Sequence, residues 1–414
     1  MSQNRVSSLL IVNSLTLILM LNTLTFFSPF IQTIYAQPSV SDTGLNIEAA
    51  IDGLSSPTSM VFLDNNNILV LEKEGSVRLV SDGVLREEPV LQVPVNTESE
   101  RGVLGVAFDK DSNSVFLYYT EADPLRNRIY KYQWNGQSLV NPTLLLDLPG
   151  EPGPNHDGGK IVIGPDGYLY AVIGDLNHDG QLQNFPDGPP PDDTSVILRV
   201  NLEDGSAAPD NPFANSGDDA LSKYYAYGIR NSFGMDFDPV TGNLWDTENG
   251  PASYDETNLV RPGFNSGWQT VMGPISLSGD TEEDLVNFPG SHYADPLFSW
   301  AEPPAVTDIE FLDSSNLGDK YANNIFVGDI NNGNLYFFGV NENRNAIQLD
   351  AAQQESGLSD LVVDNEEELS AITFGSGFGG ITDIETGPDG FLYVLSYDDG
   401  IIYRISPTST NNSN

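Results

Sequence analysis

The chain of 414 residues contains no cysteine, so disulfides, thiolate metal sites and cysteine nucleophiles are excluded. Cations are scarce: 17 Lys and Arg stand against 59 Asp and Glu, a formal net charge of −42. A field of that sign repels nucleic acid and anionic lipid, which removes both as partners. Imidazole chemistry has only His156, His178 and His292 to draw on. No long stretch carries a helical period with caps, which argues against alternating βα folds. Beyond the N-terminal segment, no run is apolar enough to span a bilayer.

What is present is apolar and turn-rich. Hydrophobic residues make up 39 %, enough for a sizeable core, and charged residues only 18 %. Gly (39) and Pro (27) are abundant, as many short strands joined by many turns require. At the N-terminus Arg5 is the only charge among the first 36 residues, and Ser7 to Phe30 is largely apolar. A small residue, Ala36, precedes a polar stretch. This is the pattern of an export signal over residues 1–36, with an uncleaved anchor as the alternative. It implies an exported protein, extracellular, periplasmic or cell-surface. Any membrane contact would run through this segment alone.

One phrase recurs: apolar strand, Asp/Asn/Gly turn, apolar strand, turn, strand. It appears from Met60, Val106, Ile161, Met235, Ile309 and Ile384. Turns such as Pro165-Asp166-Gly167 and Pro388-Asp389-Gly390 carry the residues that tight turns need. Six such units predict an all-β protein, a six-bladed β-propeller of four-stranded antiparallel blades over residues 45–406. Residues 407–414 read as a disordered tail. Gly/Pro/Asp-rich insertions at 176–193, 204–219 and 270–305 read as loops on the binding face.

Three clusters carry chemistry. His156 lies in a Gly/Pro-rich loop before the strand from Ile161, and Asp175 ends the next strand. A hairpin between them puts both at one end, where a carboxylate can orient an imidazole and raise its basicity for general-base work. The alternative is a loop histidine bonded for structure. His178 reads as surface, and His292 has no supporting context. Arg230, in Tyr227-Gly-Ile-Arg-Asn-Ser-Phe-Gly234, can aim a guanidinium at an anionic or carbonyl oxygen, or can simply pair with a carboxylate. The stretch Thr247–Glu256, with Gly250-Pro251 and Asp255-Glu256, offers the hard oxygens that calcium takes, or is a solvated acidic turn.

Read in order, these passages resemble the soluble quinoprotein glucose/sorbosone dehydrogenase family, the pyrroloquinoline quinone (PQQ)-dependent aldose dehydrogenases. The likeness runs from Ile47 to Ser406. It is carried by Arg101-Gly-Val-Leu-Gly105, His156-Asp-Gly-Gly-Lys160 with Gly164-Pro-Asp-Gly167 and Gly174-Asp175, Gly228-Ile-Arg-Asn231, and Glu248-Asn-Gly-Pro251. Asp255-Glu-Thr-Asn258, Asn265-Ser-Gly-Trp268 and Gly380-Ile-Thr-Asp383 complete it. The resemblance implies an enzyme oxidising aldose sugars at the anomeric carbon, with PQQ, Ca2+ and an external electron acceptor. It implies His156 as the base and Asp175 as its orienter. It implies Arg230, Asn231 and Lys160 at the cofactor, and Gly250 and Pro251 on its calcium. Asp255 and Glu256 would hold a structural calcium.

The chain also departs from the family. Gly380 and Thr382 stand where the family often has arginines that grip the cofactor's carboxylates. The segment Gly328–Gly333 lacks an expected basic residue and carries Asp329 instead. Glu100 or Arg101 replaces a glutamine. These departures keep two other readings open: a non-catalytic, calcium-stabilised propeller binding glycans or surface proteins, and a calcium-dependent lactonase-like hydrolase.

Overall fold

The computed structural model describes residues 37–408, and the export-signal segment lies outside them. The protein is an all-β propeller. Among the described residues the strands form six sheets. The first comprises Pro57–Phe62, Asn67–Glu72, Ser76–Ser81, Val84–Leu85 and Leu91–Gln92, and the second Val103–Asp109, Ser114–Ala122, Leu125–Trp134 and Leu139–Pro149. The third opens with Ile161–Ile163, Tyr168–Ile173, Val196–Asn201 and Tyr224–Tyr227, the fourth with Gly234–Phe237, Leu244–Glu248 and Asp255–Val260. The fifth opens with Val306–Phe311, Ile325–Asp329 and Leu335–Val340, the sixth with Ile381–Thr386, Leu392–Ser396 and Ile401–Pro407. Packing between innermost strands is slightest where the three-residue Ile161–Ile163 meets Gly234–Phe237.

Four strands per sheet holds only for the second and sixth sheets; the others have five or six. Most of the extra strands are two-residue pieces. Phe264–Asn265 and His292–Tyr293 add in parallel to the third sheet, and Val362–Val363 adds in parallel to the fourth. An outer strand has unpaired N–H and C=O groups, and these two-residue pieces cover them. Ser39–Val40 pairs with Thr373–Ser376, so the ordered structure starts before residue 45. It also runs past 406: Pro407 ends a strand, and the Thr408 N–H bonds the Gly44 carbonyl at 2.8 Å. The last sheet closes on Leu45–Ile51, which pairs with Ile401–Pro407 and ties the start of the propeller to its end.

Alternating apolar residues bury into clusters between neighbouring sheets, with Trp245 and Trp300 fully enclosed. The innermost strands face one another edge to edge, so their N–H groups have no ladder partner on that side. Side chains supply one. Asp236 Oδ2 accepts from Phe311 N–H at 2.7 Å, Asp308 Oδ2 from Ile384 N–H at 2.9 Å, and Glu310 Oε1 from Thr386 N–H at 2.7 Å. Asp383 Oδ2 accepts from Met60 N–H at 2.5 Å. Hydroxyls answer the carbonyls: Thr307 donates to Ile381, Thr382 to Pro57, and Thr58 to Val103, at 2.7–2.9 Å.

Candidate functional site

A cavity of about 720 Å3 opens where the loops at one end of these inner strands converge. His156, Lys160, Arg230, Asn231, Gly250, Pro251 and Asp255 all line it. Asp175 stands behind His156 and Glu256 faces elsewhere.

His156 and Asp175 belong to one hairpin, and the structure brings them together. His156 Nδ1 lies 2.6 Å from Asp175 Oδ1. Asp175 is held from three further directions: Oδ1 accepts the Asn177 N–H at 2.7 Å, Oδ2 accepts Trp268 Nε1–H at 2.6 Å, and its own N–H donates to the Arg230 carbonyl at 2.9 Å. A carboxylate only accepts, so a neutral imidazole facing it carries its proton on Nδ1 and its lone pair on Nε2. Nε2 has no hydrogen-bond partner among the described residues, and the ring borders the cavity. His156 has φ of +65°, a left-handed conformation that a non-glycine residue adopts at some cost, as at many functional sites. Its N–H is fixed by Glu100 Oε2 at 2.7 Å. Gly174 lets the segments meet, since a Cβ there would sit 2.5 Å from both the His156 and Arg230 carbonyl oxygens.

Arg230 Nη1 donates to the Asn249 carbonyl at 2.9 Å, and its guanidinium lies 5.3 Å from the Trp268 ring. Nε has no partner although buried. Burial pulls its pKa below the usual arginine range, against the pull of Asp175 and Glu248. Asn231 Nδ2 donates to Glu100 Oε2 at 3.0 Å, and its Oδ1 accepts the Gly158 N–H. Glu100 therefore ties His156 to Asn231, from 56 and 131 residues away in sequence, and it is Glu100 that lines the cavity. Arg101 is buried behind it, against Gly150 and Asp157.

Asp255 and Glu256, expected together on a structural calcium, do not converge on one point. Asp255 and Glu256 are neighbours on a strand, so their side chains leave on opposite faces. Asp255 turns to the cavity and accepts the Gly250 and Val306 N–H groups at 2.9 and 3.0 Å; burial pushes its carboxyl up to about 6. Glu256 turns away and accepts the Gly273 N–H at 2.5 Å. There it joins residues that sequence reasoning passed over. Asp246 opposes Asn258 and Glu248 opposes Glu256 in the antiparallel ladder, which puts all four side chains on one face. Both Asp246 oxygens and Asn258 Oδ1 are buried without a partner. Burial pushes Glu248 up to about 7 and holds Asp246 and Glu256 well above the carboxylate range. Among the described residues no three acidic or histidine side chains converge as a ready metal cluster.

Lys160 is at the cavity, but its charge is already matched. Nζ lies 2.8 Å from Asp308 and 2.7 Å from Asp383. Asp329 does not face the cavity. It accepts the Asn332 and Gly333 N–H groups at 2.6 and 3.0 Å and the Tyr336 hydroxyl at 2.7 Å, shaping its own turn. His178 pairs with Asp192 at 3.0 Å on a loop, and His292 packs at 6.4 Å from the Phe264 ring. Neither borders the cavity.

Comparison with known proteins matches residues 54–404 to the model of the family described as Glucose / Sorbosone dehydrogenase. The aldose sugar dehydrogenase YliI of Escherichia coli (strain K12) is 27 % identical over 376 residues, spanning 88 % of this chain and 93 % of that protein. Quinoprotein glucose dehydrogenase B of Acinetobacter calcoaceticus is 33 % identical over 261 residues, 55 % of this chain and 53 % of that one. The crystal structure of the soluble aldose sugar dehydrogenase of Escherichia coli in its apo form superposes with a TM-score of 0.70 at 25 % identity, covering 88 % of this chain and 100 % of that chain.

Proposed function

Because the chain belongs to the Glucose / Sorbosone dehydrogenase family, we propose that it is a quinoprotein oxidoreductase that oxidises aldose sugars at the anomeric carbon in its central cavity. The observation that carries the reading is the relay Trp268–Asp175–His156, which ends at a cavity-facing imidazole nitrogen with no protein partner. Enzymes of this family type, dehydrogenases acting on aldoses, need such a base beside the sugar.

The cavity lining would suit a quinone such as PQQ. Arg230 has an orphaned buried donor there, Asn231 stands beside it, and Leu104, Phe233, Pro251 and Ile330 give flat apolar walls. When bound, PQQ supplies the hydride acceptor. The protein's own residues do the rest. His156 Nε2 takes the proton of the anomeric hydroxyl. Asp175 stabilises the imidazolium that forms and fixes the ring, and Trp268 and Asn177 keep Asp175 from turning. Arg230 presents fixed donors to developing negative charge on an oxygen, in a site where little reorganisation is needed. Gly250 and Pro251 border the same cavity and offer carbonyl oxygens to a calcium ion there. The ladder of Asp246, Glu248, Glu256 and Asn258, with three unpartnered buried oxygens, offers a hard-oxygen surface for a second ion in place of the Asp255–Glu256 pair.

The inner-strand clamps pass from the fourth sheet to the fifth, sixth, first and second in turn, so they join five blades rather than the six expected from the repeats. Export is proposed from the composition of residues 1–36 alone. The test of function is His156→Ala in calcium- and PQQ-loaded protein with a dye acceptor. Turnover should vanish while folding and calcium binding persist; wild-type oxidation rates in this variant would overturn the mechanism.

A further inference from the structure

PQQ brings three carboxylates, and the last sheet cannot receive them. Gly380 has φ of +77°, and a Cβ there would lie 3.0 Å from the Ile330 carbonyl oxygen, so an arginine does not fit without shifting the backbone. Thr382 is neutral, and its hydroxyl is bonded to Pro57. Three cations line the cavity: Lys73, Lys160 and Arg230. Lys160 is matched by two aspartates, and Arg230 is bonded to the Asn249 carbonyl. Lys73 is different. Its Nζ donates to the Thr97 and Ser99 carbonyls at 3.0 and 2.6 Å and has no carboxylate within 4.0 Å among the described residues. An ammonium has three protons, so one is left over for the cavity. Its backbone is fixed at both ends, with N–H on the Ser56 carbonyl and C=O on the Val103 N–H. Neutral carbonyl partners polarise the ammonium without cancelling its charge, so an entering carboxylate meets a preorganised and uncompensated cation.

We propose that Lys73 is the cation that grips a carboxylate of the quinone cofactor in this chain, in place of the arginines that its last sheet lacks. The inference rests on the quinoprotein reading and assigns within it a residue that the family resemblance did not supply. A charge-assisted hydrogen bond of this kind corresponds to roughly 10- to 100-fold in affinity. The same ammonium also fastens the loop that carries Glu100, so the test has to separate charge recognition from loop support.

PQQ and its trimethyl ester are each titrated into the calcium-loaded full chain, followed by calorimetry, for wild type, Lys73→Met and Lys73→Arg. Lys73→Met should weaken PQQ roughly 10- to 100-fold and leave the ester within about twofold. Lys73→Arg should keep PQQ near the wild-type affinity. The wild-type preference for acid over ester should fade as salt is raised and be largely absent in Lys73→Met. Equal loss of acid and ester in Lys73→Met would overturn the proposal and leave Lys73 as a loop support. Unchanged PQQ binding in Lys73→Met would overturn it as well. Wild-type protein that is folded, calcium-loaded and binds neither compound would instead overturn the quinoprotein reading beneath it.

Discussion

Replacing Asp175 with asparagine isolates what its charge contributes. In the protein Oδ1 accepts from His156 Nδ1 and the Asn177 N–H, and Oδ2 accepts from Trp268 Nε1, at 2.6 to 2.7 Å. An amide of the same shape offers one accepting oxygen and one donating NH2. With its oxygen toward His156, the NH2 faces the indole N–H, and two donors stand opposed. With its oxygen toward Trp268, the NH2 faces Nδ1, which must then accept; the imidazole proton moves to Nε2, and the base is lost. Either arrangement leaves an N–H unpaired, that of Trp268 in the first and that of Asn177 in the second, at about 1–3 kcal/mol. The second forfeits general-base catalysis, worth about 10² to 10⁴ in rate. We therefore expect kcat to fall at least about a hundredfold, with the fold retained. Dye-coupled turnover of reconstituted protein measures the rate. The ring-nitrogen shifts of His156 report the tautomer, in a spectrum with only three histidines to assign. A kcat within about threefold of wild type, with the proton still on Nδ1, would refute the argument.

Three further outcomes follow from the same structure. Burial pushes the Asp236 carboxyl from its ordinary 3.8 up to about 6, so its stabilising proton is fully held below the lower value and lost as pH rises through the upper. Asp236→Asn should accordingly gain about 1–3 kcal/mol on wild type between pH 4 and pH 8 in urea unfolding, and a difference that stays flat with pH would refute this. Calcium at a hundred times its dissociation constant should add about 2.7 kcal/mol of stability that chelation removes, and Asp246→Asn should erase most of that gain; equal gains in both proteins would exclude the Asp246 ladder. Lys160→Met strands Asp308 and Asp383 beside each other and should cost about 3–5 kcal/mol, with Asp308→Asn recovering part; a variant as stable as wild type would show that Lys160 serves only the cavity.

The parts of this site that were legible in the sequence are local. His156 and Asp175 are 19 residues apart on one hairpin, and a turn signal between two apolar strands suffices to place them together. Asp255 and Glu256 sit in a segment that reads in the sequence as an acidic turn. It is the start of the strand Asp255–Val260, and strand alternation parts the two side chains. The same alternation gathers Asp246, Glu248, Glu256 and Asn258, a period-two pattern visible once the strand limits are known. The sequence does not decide between Glu100 and Arg101, because the partners of Glu100, the His156 N–H and Asn231, lie 56 and 131 residues away. Lys73 gave no signal at all. Its surroundings are the carbonyls of a loop 24 to 26 residues further on, and backbone oxygens leave no mark on a sequence. The extra strands of the third and fourth sheets are silent in the sequence for a related reason, since two-residue pairings have no periodicity to read.

The acidic composition also takes on a different meaning. A solvated acidic shell accounts for many of the 59 carboxylates, but not for those on the innermost strands. A propeller pairs its strands outward within each sheet and leaves the inner edges facing one another without a ladder. With no cysteine, the closed ring has no covalent bond to hold that junction. Asp236, Asp308, Glu310 and Asp383 bridge it by accepting N–H groups from the next sheet, which satisfies donors that burial would otherwise make costly. Crowding these acids about the axis raises the energy of every charge there. Burial lifts Asp236, Asp308, Glu310 and Glu385 above the carboxylate range, and Lys160 is the counter-ion that reaches Asp308 and Asp383. A lysine already answering the ring's own acids has little charge left for a cofactor. On the same grounds, the cation that a trianionic ligand needs has to come from a side chain whose partners are carbonyls, and among those lining the cavity Lys73 meets that condition most fully.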